Sequence, residues 1–250
     1  MHITPIKTHA IVANKESIYD LIDTYIPSFP EKSVLAITSK VISLCEGAVV
    51  PEQGTDKDKL VEEHADYYLP KDFNVYGFHF TITNHTMIAS AGIDLSNGNG
   101  NYVLWPKDPQ KSANDIRVYL TKKFNIKHAG VLIIDSKTTP LRWGTMGTSI
   151  AHSGFNAVKD YIGTKDLFDY QIRVTKANHA EGLAAASCLV MGEGAESTPF
   201  TIIGDIPFIE FQNRNPSQGE LDIIAIPLAE DLYAPILKSV SWIKGKKRDS

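Results

Sequence analysis

Three acids stand where the chain leaves an apolar or small-residue run for a loop of Gly, Ser, Thr or Asn. Asp94 lies in ASAGIDLSNGNG (89–100), Asp135 directly follows GVLII (130–134), and Glu193 follows ANHAEGLAAASCLVM (177–191). Carboxylates so placed suit hard divalent cations; Mg2+ takes one or two protein carboxylates and fills its shell with water and phosphate oxygens. Asp135 is the most persuasive of the three, because α/β enzymes set their reactive loops at strand ends, and Ser136 adds a hydroxyl ligand. Asn97, Gly98, Asn99 and Gly100 tolerate left-handed backbone, which frees N–H groups to wrap a small anion. Taken singly, each acid also fits a residue capping its next turn, and AGIDLSNGNG also fits a plain hairpin connection.

Cationic partners for an anionic substrate are present. Arg142 lies seven residues past Asp135, among Thr138, Thr139, Trp143 and Thr145, and can pair bidentately with a carboxylate or phosphate. Lys40 follows the buried run SVLAITS (33–39) through Ser39, and its ammonium can reach a phosphate. A solvent-facing role fits either side chain as well. Several signatures are missing: GxxxxGK[ST], a GxGxxG after a strand, HExxH, zinc-type Cys spacing and GxSxG. That excludes a P-loop and argues against catalytic zinc or a serine hydrolase. Cys45 and Cys188 sit among apolar neighbours and read as core thiols.

The elements that must position these residues follow from periodicity. A short strand, a turn near Thr8–His9 and a second extended piece open the chain, and a helix capped by Ser17 ends at Pro27 and Pro30. The run 33–39 reads as a buried strand that Lys40 to Glu46 continues towards Gly47 and AVV. Residues 51–68 are charged and then helical, with Leu60 and Ala65 facing inward. Antiparallel strands are expected around Asn84–His85, and a helix over 112–124 with Ser112 as cap. GVLII is the most hydrophobic strand. A polar loop is expected over 136–154, a helix over 155–162, a strand over 169–175, a small-residue helix over 177–191, and strands at 200–203 and 223–226. Strands that do not alternate cleanly with helices favour an α+β fold.

With 250 residues, 43% apolar and 22% charged, the chain can bury a sizeable core. A net charge of −4 gives no reason to expect nucleic acid or an anionic membrane, and the KGKKR run (Lys244 to Arg248) reads as a frayed solubilising end. Two cysteines, no signal peptide and no apolar window long enough to span a bilayer set the expectation of a cytoplasmic protein.

Five pieces together resemble the γ-glutamyl ligases of the coenzyme F420-0:L-glutamate ligase type: ITSKVISLCEG (37–47), ASAGIDLSNGNGNYVLWPKDPQKSANDIR (89–117), VLIIDSKTTPLRWGTMGTSIAHSGF (131–155), VKDYIGTKDLF (158–168) and LVMGEGAESTP (189–199). The resemblance implies a ligase using GTP or ATP and two divalent metals, Mg2+ or Mn2+, with K+ as an open addition. The acceptor's carboxylate would take the γ-phosphoryl group, and the amine of glutamate would then open the acyl phosphate. Carried over, the metal ligands fall on Asp94, Asp135 with Ser136, and Glu193. Nucleotide contacts fall on Thr8, His9, Ala10 and Ile11, on Ser39 and Lys40, on Asn97, and on Met191, Gly192, Gly194, Ala195 and Glu196; Asp94, Asp135 and Arg142 carry the catalytic role.

The implied fold is α+β with two discontinuous lobes, 1–69 with 176–250 (nucleotide) and 70–175 (metal and substrate), in an intertwined homodimer. Two departures stand out. Many members carry a Lys where this chain has Leu44, so that phosphate contact is lost or passes to another residue such as Lys40. The third motif reads DSKTTPLR instead of DTFGRPWR, which resembles bacterial relatives assigned to folate metabolism. A folate-type acceptor is therefore expected beside the deazaflavin F420-0. Two other readings remain open: a nucleotide- or cofactor-binding protein that has lost ligation, for which Leu44 is the hint, and a metal-dependent phosphate-ester hydrolase.

Overall fold

The apolar run Gly130–Ile134 lies buried within a five-stranded sheet in the computed structural model, which describes residues 1–246. The first half of the chain runs β1 (His2–Ile6), α1 (Ile18–Tyr25), β2 (Ser33–Thr38), α2 (Ser39–Glu46), β3 (Val49–Pro51), α3 (Lys57–His64), β4 (Tyr67–Leu69), β5 (Phe80–Thr83), β6 (Thr86–Ala89), β7 (Asn101–Val103) and α4 (Pro109–Phe124). The second half runs β8 (Ala129–Thr138), β9 (Thr145–Ser153), β10 (Val158–Asp160), β11 (Lys176–Asn178), α5 (His179–Met191), β12 (Phe200–Gly204), α6 (Gln218–Asp222), α7 (Ala234–Leu237) and β13 (Ile243–Lys244). No helix among the described residues is long and apolar enough to cross a membrane.

The main sheet has the order β1-β12-β2-β8-β9, with β2 and β8 parallel and the other pairs antiparallel. The mixture of parallel and antiparallel pairing with helices fits the α+β class. Strands of both segments share this sheet: β1, β2 and β12 come from 1–69 and 176–250, and β8 and β9 from 70–175. β2 and β8 are buried on both faces, which is why they read as unbroken apolar runs. Leu35, Ile37, Val131 and Ile133 face Leu21 and Ile22 of α1 and Ile116 and Leu120 of α4. Val34, Ala36, Leu132 and Ile134 face Ala180, Leu183 and Ala184 of α5. A second antiparallel sheet, β13-β4-β5-β6, lies beside a smaller core of Leu60, Val61, Ala65, Ala91 and Ile93.

Several local expectations are corrected. Residues 39–46 form helix α2, not a continued strand: Val41, Ile42 and Leu44 are buried at helical spacing, and Gly47 caps the end at φ +67°. Residues 7–13 are irregular and carry no second strand. α4 begins three residues before the expected cap, with Asp108 accepting the Lys111 N–H and Pro109 in the first turn; the Ser112 hydroxyl donates instead to Glu46 at 2.6 Å.

The polar stretch 136–154 is mostly strand. Its buried face hides in small and polar residues: Gly147 presses on the Ala184 carbonyl of α5, and the fully buried Thr148 donates to Glu181 at 3.0 Å. Residues 155–162 are not helical, because Asp160 accepts the Ile162 N–H at 2.8 Å in a turn closed by Gly163 at φ +83°. The strand expected at 169–175 lies at 176–178. The strand expected at 223–226 is absent; the preceding turn is α6, fixed by a Ser217–Glu220 capping box. The basic run is not frayed over Lys244 to Lys246, where β13 pairs with β4 and the Lys246 N–H reaches Glu62 O at 2.8 Å; Lys247 and Arg248 lie outside the described residues.

Within β9, His152 is 1% exposed and its Nε2 has no hydrogen-bond partner. Burial pushes its pKa down to about 4. The fold therefore favours the neutral ring, and that stabilisation is complete above about pH 6.5 and lost as pH falls towards 4. His152→Phe is expected to flatten the fall in denaturation midpoint between pH 6.5 and 4.5, by an amount approaching roughly 3 kcal/mol at the acid limit. Equal slopes for the two proteins would contradict this.

Candidate active site

The parallel strands β2 and β8 run in register until Thr38 stands opposite Ile134. Beyond that point they part. β2 turns at once into α2, which places Ser39 and Lys40 in the helix's first turn, while β8 continues with Asp135 and Ser136 paired only to β9. The register of β8 and β9 shifts between Ile133 and Ile134, a bulge immediately before Asp135 that re-aims the strand end. Thr38 caps α2 without a side-chain hydrogen bond, so no side chain competes there for the first-turn N–H groups, which favour an anion.

Asp135 forms the floor. It accepts the Ser136 N–H at 2.8 Å and the indole N–H of Trp105. Burial raises its pKa above the ordinary carboxylate value, against the opposing pull of Trp105, the Ser136 amide, Lys40 and Ser39. Trp105 is the site residue that motif reading missed. Its signal was the glycine of AGID: Gly92 adopts φ +72°, and a Cβ there would collide with the Trp105 indole nitrogen. One small residue thus lets the Trp reach the acid.

Asp94 faces the same space from the other core. Its backbone exchanges hydrogen bonds with Val103 at 3.2 and 2.7 Å, so AGIDLSNGNG is a hairpin as well as a cavity wall. Lys40 Nζ donates to Asp94 Oδ2 at 2.6 Å, to Ser96 O at 2.8 Å and to Ser96 Oγ at 2.9 Å. Burial alone would raise the Asp94 pKa, but the bonds from Lys40 and from the Ser96 hydroxyl and amide outweigh it and hold the carboxyl below its usual value. Ser96 too escaped the motif reading.

The third wall is the turn after α5. Gly192 takes φ +79° with the Glu196 carboxylate packed where a Cβ would stand, and the Gly194 N–H donates to Glu196 at 2.8 Å. Asn97 Nδ2 reaches Gly194 O at 3.2 Å, tying this turn to the Asp94 hairpin. The Thr8 N–H donates to Ser197 O at 2.8 Å and brings in the N-terminal loop, where His9 is held between Tyr25 at 2.5 Å and Glu16 at 2.6 Å. These walls enclose a cavity of about 540 Å³. All the expected metal and nucleotide positions line it: Thr8 to Ile11, Ser39, Lys40, Asp94, Asn97, Asp135, Ser136, Met191 to Ala195 and Glu196. Leu44 and Cys188 line it too, and burial beside Glu193 and Asp135 pushes the Cys188 thiol up to about 12, so it stays protonated.

Arg142 does not line the cavity; it is exposed at the β8–β9 tip between the fully exposed Leu141 and Trp143. Among the described residues no three His, Cys, Asp or Glu side chains cluster as ligands for one ion. The cavity nevertheless offers carboxylate and hydroxyl oxygens, since its His9 is engaged by Tyr25 and Glu16 and its Cys188 thiol stays protonated, and Asp94 already attracts an ammonium. Such a donor set fits a hard cation that completes its shell from water and a ligand's oxygens.

A family described as F420-0:Gamma-glutamyl ligase matches residues 5–205, a span that contains every cavity-lining residue. The chain belongs to that family. A coenzyme F420:L-glutamate ligase of Methanococcus maripaludis (strain S2) is 30% identical over 229 residues, covering 85% of this chain and 91% of the relative. The protein of the same name from Methanocaldococcus jannaschii is 32% identical over 204 residues, 73% of this chain and 80% of the relative. That of Archaeoglobus fulgidus is 29% identical over 218 residues, 81% and 87%. As a member of the γ-glutamyl ligase family the chain is an enzyme of the amide-bond-forming class.

Trp105→Phe keeps a six-membered aromatic ring and removes the indole N–H. It is expected to lower kcat/KM for ligation by roughly tenfold to a hundredfold, the value of one hydrogen bond to a charged group, with little change in thermal midpoint. Unchanged kinetics would remove Trp105 from the site.

Proposed function

We propose that the chain joins L-glutamate to an acceptor carboxylate at the expense of GTP or ATP, inside the cavity between the β2 and β8 ends. The observation that carries this reading is the convergence of five separated parts of the chain on one cavity that gathers the acids and Lys40. In the first step an acceptor carboxylate oxygen bonds to the γ-phosphorus, the bond to the β-phosphate oxygen breaks, and the nucleoside diphosphate leaves. In the second step the glutamate amine attacks the acyl carbon; phosphate departs with the electron pair, and the nitrogen loses its proton to leave an amide.

Lys40 and the first turn of α2 face the phosphates, Asn97 and the 191–196 turn hold the nucleotide, and Leu44 and Ile134 keep water from the acyl phosphate. Asp94, Asp135 with Ser136, and Glu193 would hold two Mg2+ or Mn2+ ions, which neutralise triphosphate charge and let one anion approach another. Arg142 belongs to the acceptor side, outside the nucleotide cavity. The exposed Leu141 and Trp143 beside it are the apolar surface a second copy would cover in a homodimer.

The relatives named coenzyme F420:L-glutamate ligase favour the deazaflavin F420-0 as acceptor. The divergent DSKTTPLR loop keeps a folate-type acceptor as the second reading. Purified protein given GTP or ATP, Mn2+, glutamate and either acceptor, with and without K+, is expected to add one glutamate mass to one of them. Release of nucleoside diphosphate and phosphate should require both glutamate and acceptor. Hydrolysis indifferent to glutamate would favour a phosphate-ester hydrolase, and binding without turnover a nucleotide-binding protein. Asp135→Ala is expected to reduce turnover to background while the thermal transition persists; near-normal activity would remove Asp135 from the chemistry.

A further inference from the structure

The ammonium of Lys40 occupies the Oδ2 oxygen of Asp94, and a cation on that oxygen would have to displace it. All three of its hydrogen bonds go to the Asp94 hairpin, at 2.6 Å to the carboxylate and at 2.8 and 2.9 Å to Ser96. The other carboxylate oxygen accepts the Ser96 N–H at 3.0 Å, so both oxygens of Asp94 are engaged. An ammonium on Oδ2 repels a divalent cation approaching that oxygen and so competes with it for the carboxylate. Lys40 is also in the first turn of α2, beside backbone N–H groups that no side chain caps, at the end of the cavity suited to an anion. Its four-carbon stem can carry the ammonium from one place to the other, and the Ser96 hydroxyl and amide stay behind to orient the carboxylate.

We infer that Lys40 is an exchange residue: it neutralises Asp94 in the empty site and passes to the nucleotide phosphates when they enter, releasing the carboxylate to the cation. Nucleotide and cation then bind cooperatively, each raising the affinity of the other by the same factor. An empty site keeps little free Mg2+ or Mn2+, and the cation loads with its nucleotide. The inference rests on the reading that Asp94 ligates a cation, and the test separates the two.

Mn2+ alone is titrated into the intact protein without nucleotide, and free Mn2+ is read by its electron paramagnetic resonance signal. Lys40→Met is expected to bind Mn2+ on the order of tenfold more tightly than the wild type, because a competing charge is gone. Lys40→Arg, which keeps the charge, stays near the wild-type value, and Asp94→Asn weakens binding in both the wild-type and Lys40→Met backgrounds. In the presence of a chelator, Lys40→Met should bind GTP or ATP more weakly than the wild type. Lys40→Gln replaces Lys40→Met should the latter lose its thermal transition. Unchanged or weaker Mn2+ affinity in Lys40→Met, with Asp94→Asn still impaired, overturns the exchange and leaves the cation reading standing. Unchanged Mn2+ affinity in Asp94→Asn overturns the cation reading itself.

Discussion

Two parallel strands that stop sharing a register at the same level make the site possible. As long as β2 and β8 pair, from Ser33 opposite Ala129 to Thr38 opposite Ile134, their polar backbone is satisfied and their side chains are core. One residue later the ladder has no partner on that side, and the two chains resolve the problem differently. β2 becomes a helix whose first N–H groups point outward, and β8 keeps pairing with β9 through Asp135 and Ser136. A cleft flanked by helix amides and a strand-end carboxylate is the place where open sheets containing parallel strands accept phosphorylated ligands.

The cleft is polar in a way that costs stability. Asp135 is held above its ordinary pKa by burial, while Asp94 is held below its own by a lysine and a serine. Two carboxylates of opposite bias around one cavity create a demand for positive charge that Lys40 meets by a hydrogen bond at Asp94 and only at a distance at Asp135. The surroundings are rigid where they must be. Trp105 braces Asp135 against Gly92, and Asn97 ties the hairpin to the turn after α5. The Thr8 amide closes the ring through Ser197. Loops distant in sequence are thus fixed by side-chain and backbone hydrogen bonds and by close packing that only glycine permits at position 92, so the cavity does not depend on the ligand to assemble it.

Much of this was legible in the residues. The buried strands, the Ser17-capped helix and the Asn84–His85 hairpin follow from periodicity and turn chemistry, and both hairpin residues do adopt positive φ. The motif residues of the three acid loops proved to share one cavity. What periodicity missed has a common cause: β9 buries Gly147 and Thr148 instead of large apolar residues, because α5 packs too closely for anything bigger. α2 was hidden because Val41, Ile42 and Leu44 directly extend an apolar strand, and only Gly47 marks the helix end. Arg142 lay close to Asp135 in sequence, but the β8–β9 ladder carries it away to an exposed tip. Trp105 and Ser96 were missed because their roles depend on contacts between neighbouring turns, not on spacing; for Trp105 only Gly92 marked the close approach.

The central claim is that one cavity, built at the parting of β2 and β8, holds both the nucleotide and the cation. Its most direct test is a crystal structure with a non-hydrolysable GTP or ATP analogue and Mn2+, read by anomalous scattering. The expected result is manganese density against Asp94 and Asp135, with the triphosphate between the first turn of α2 and the Met191–Glu196 turn. A nucleotide bound elsewhere on the molecule, with this cavity empty, would contradict it.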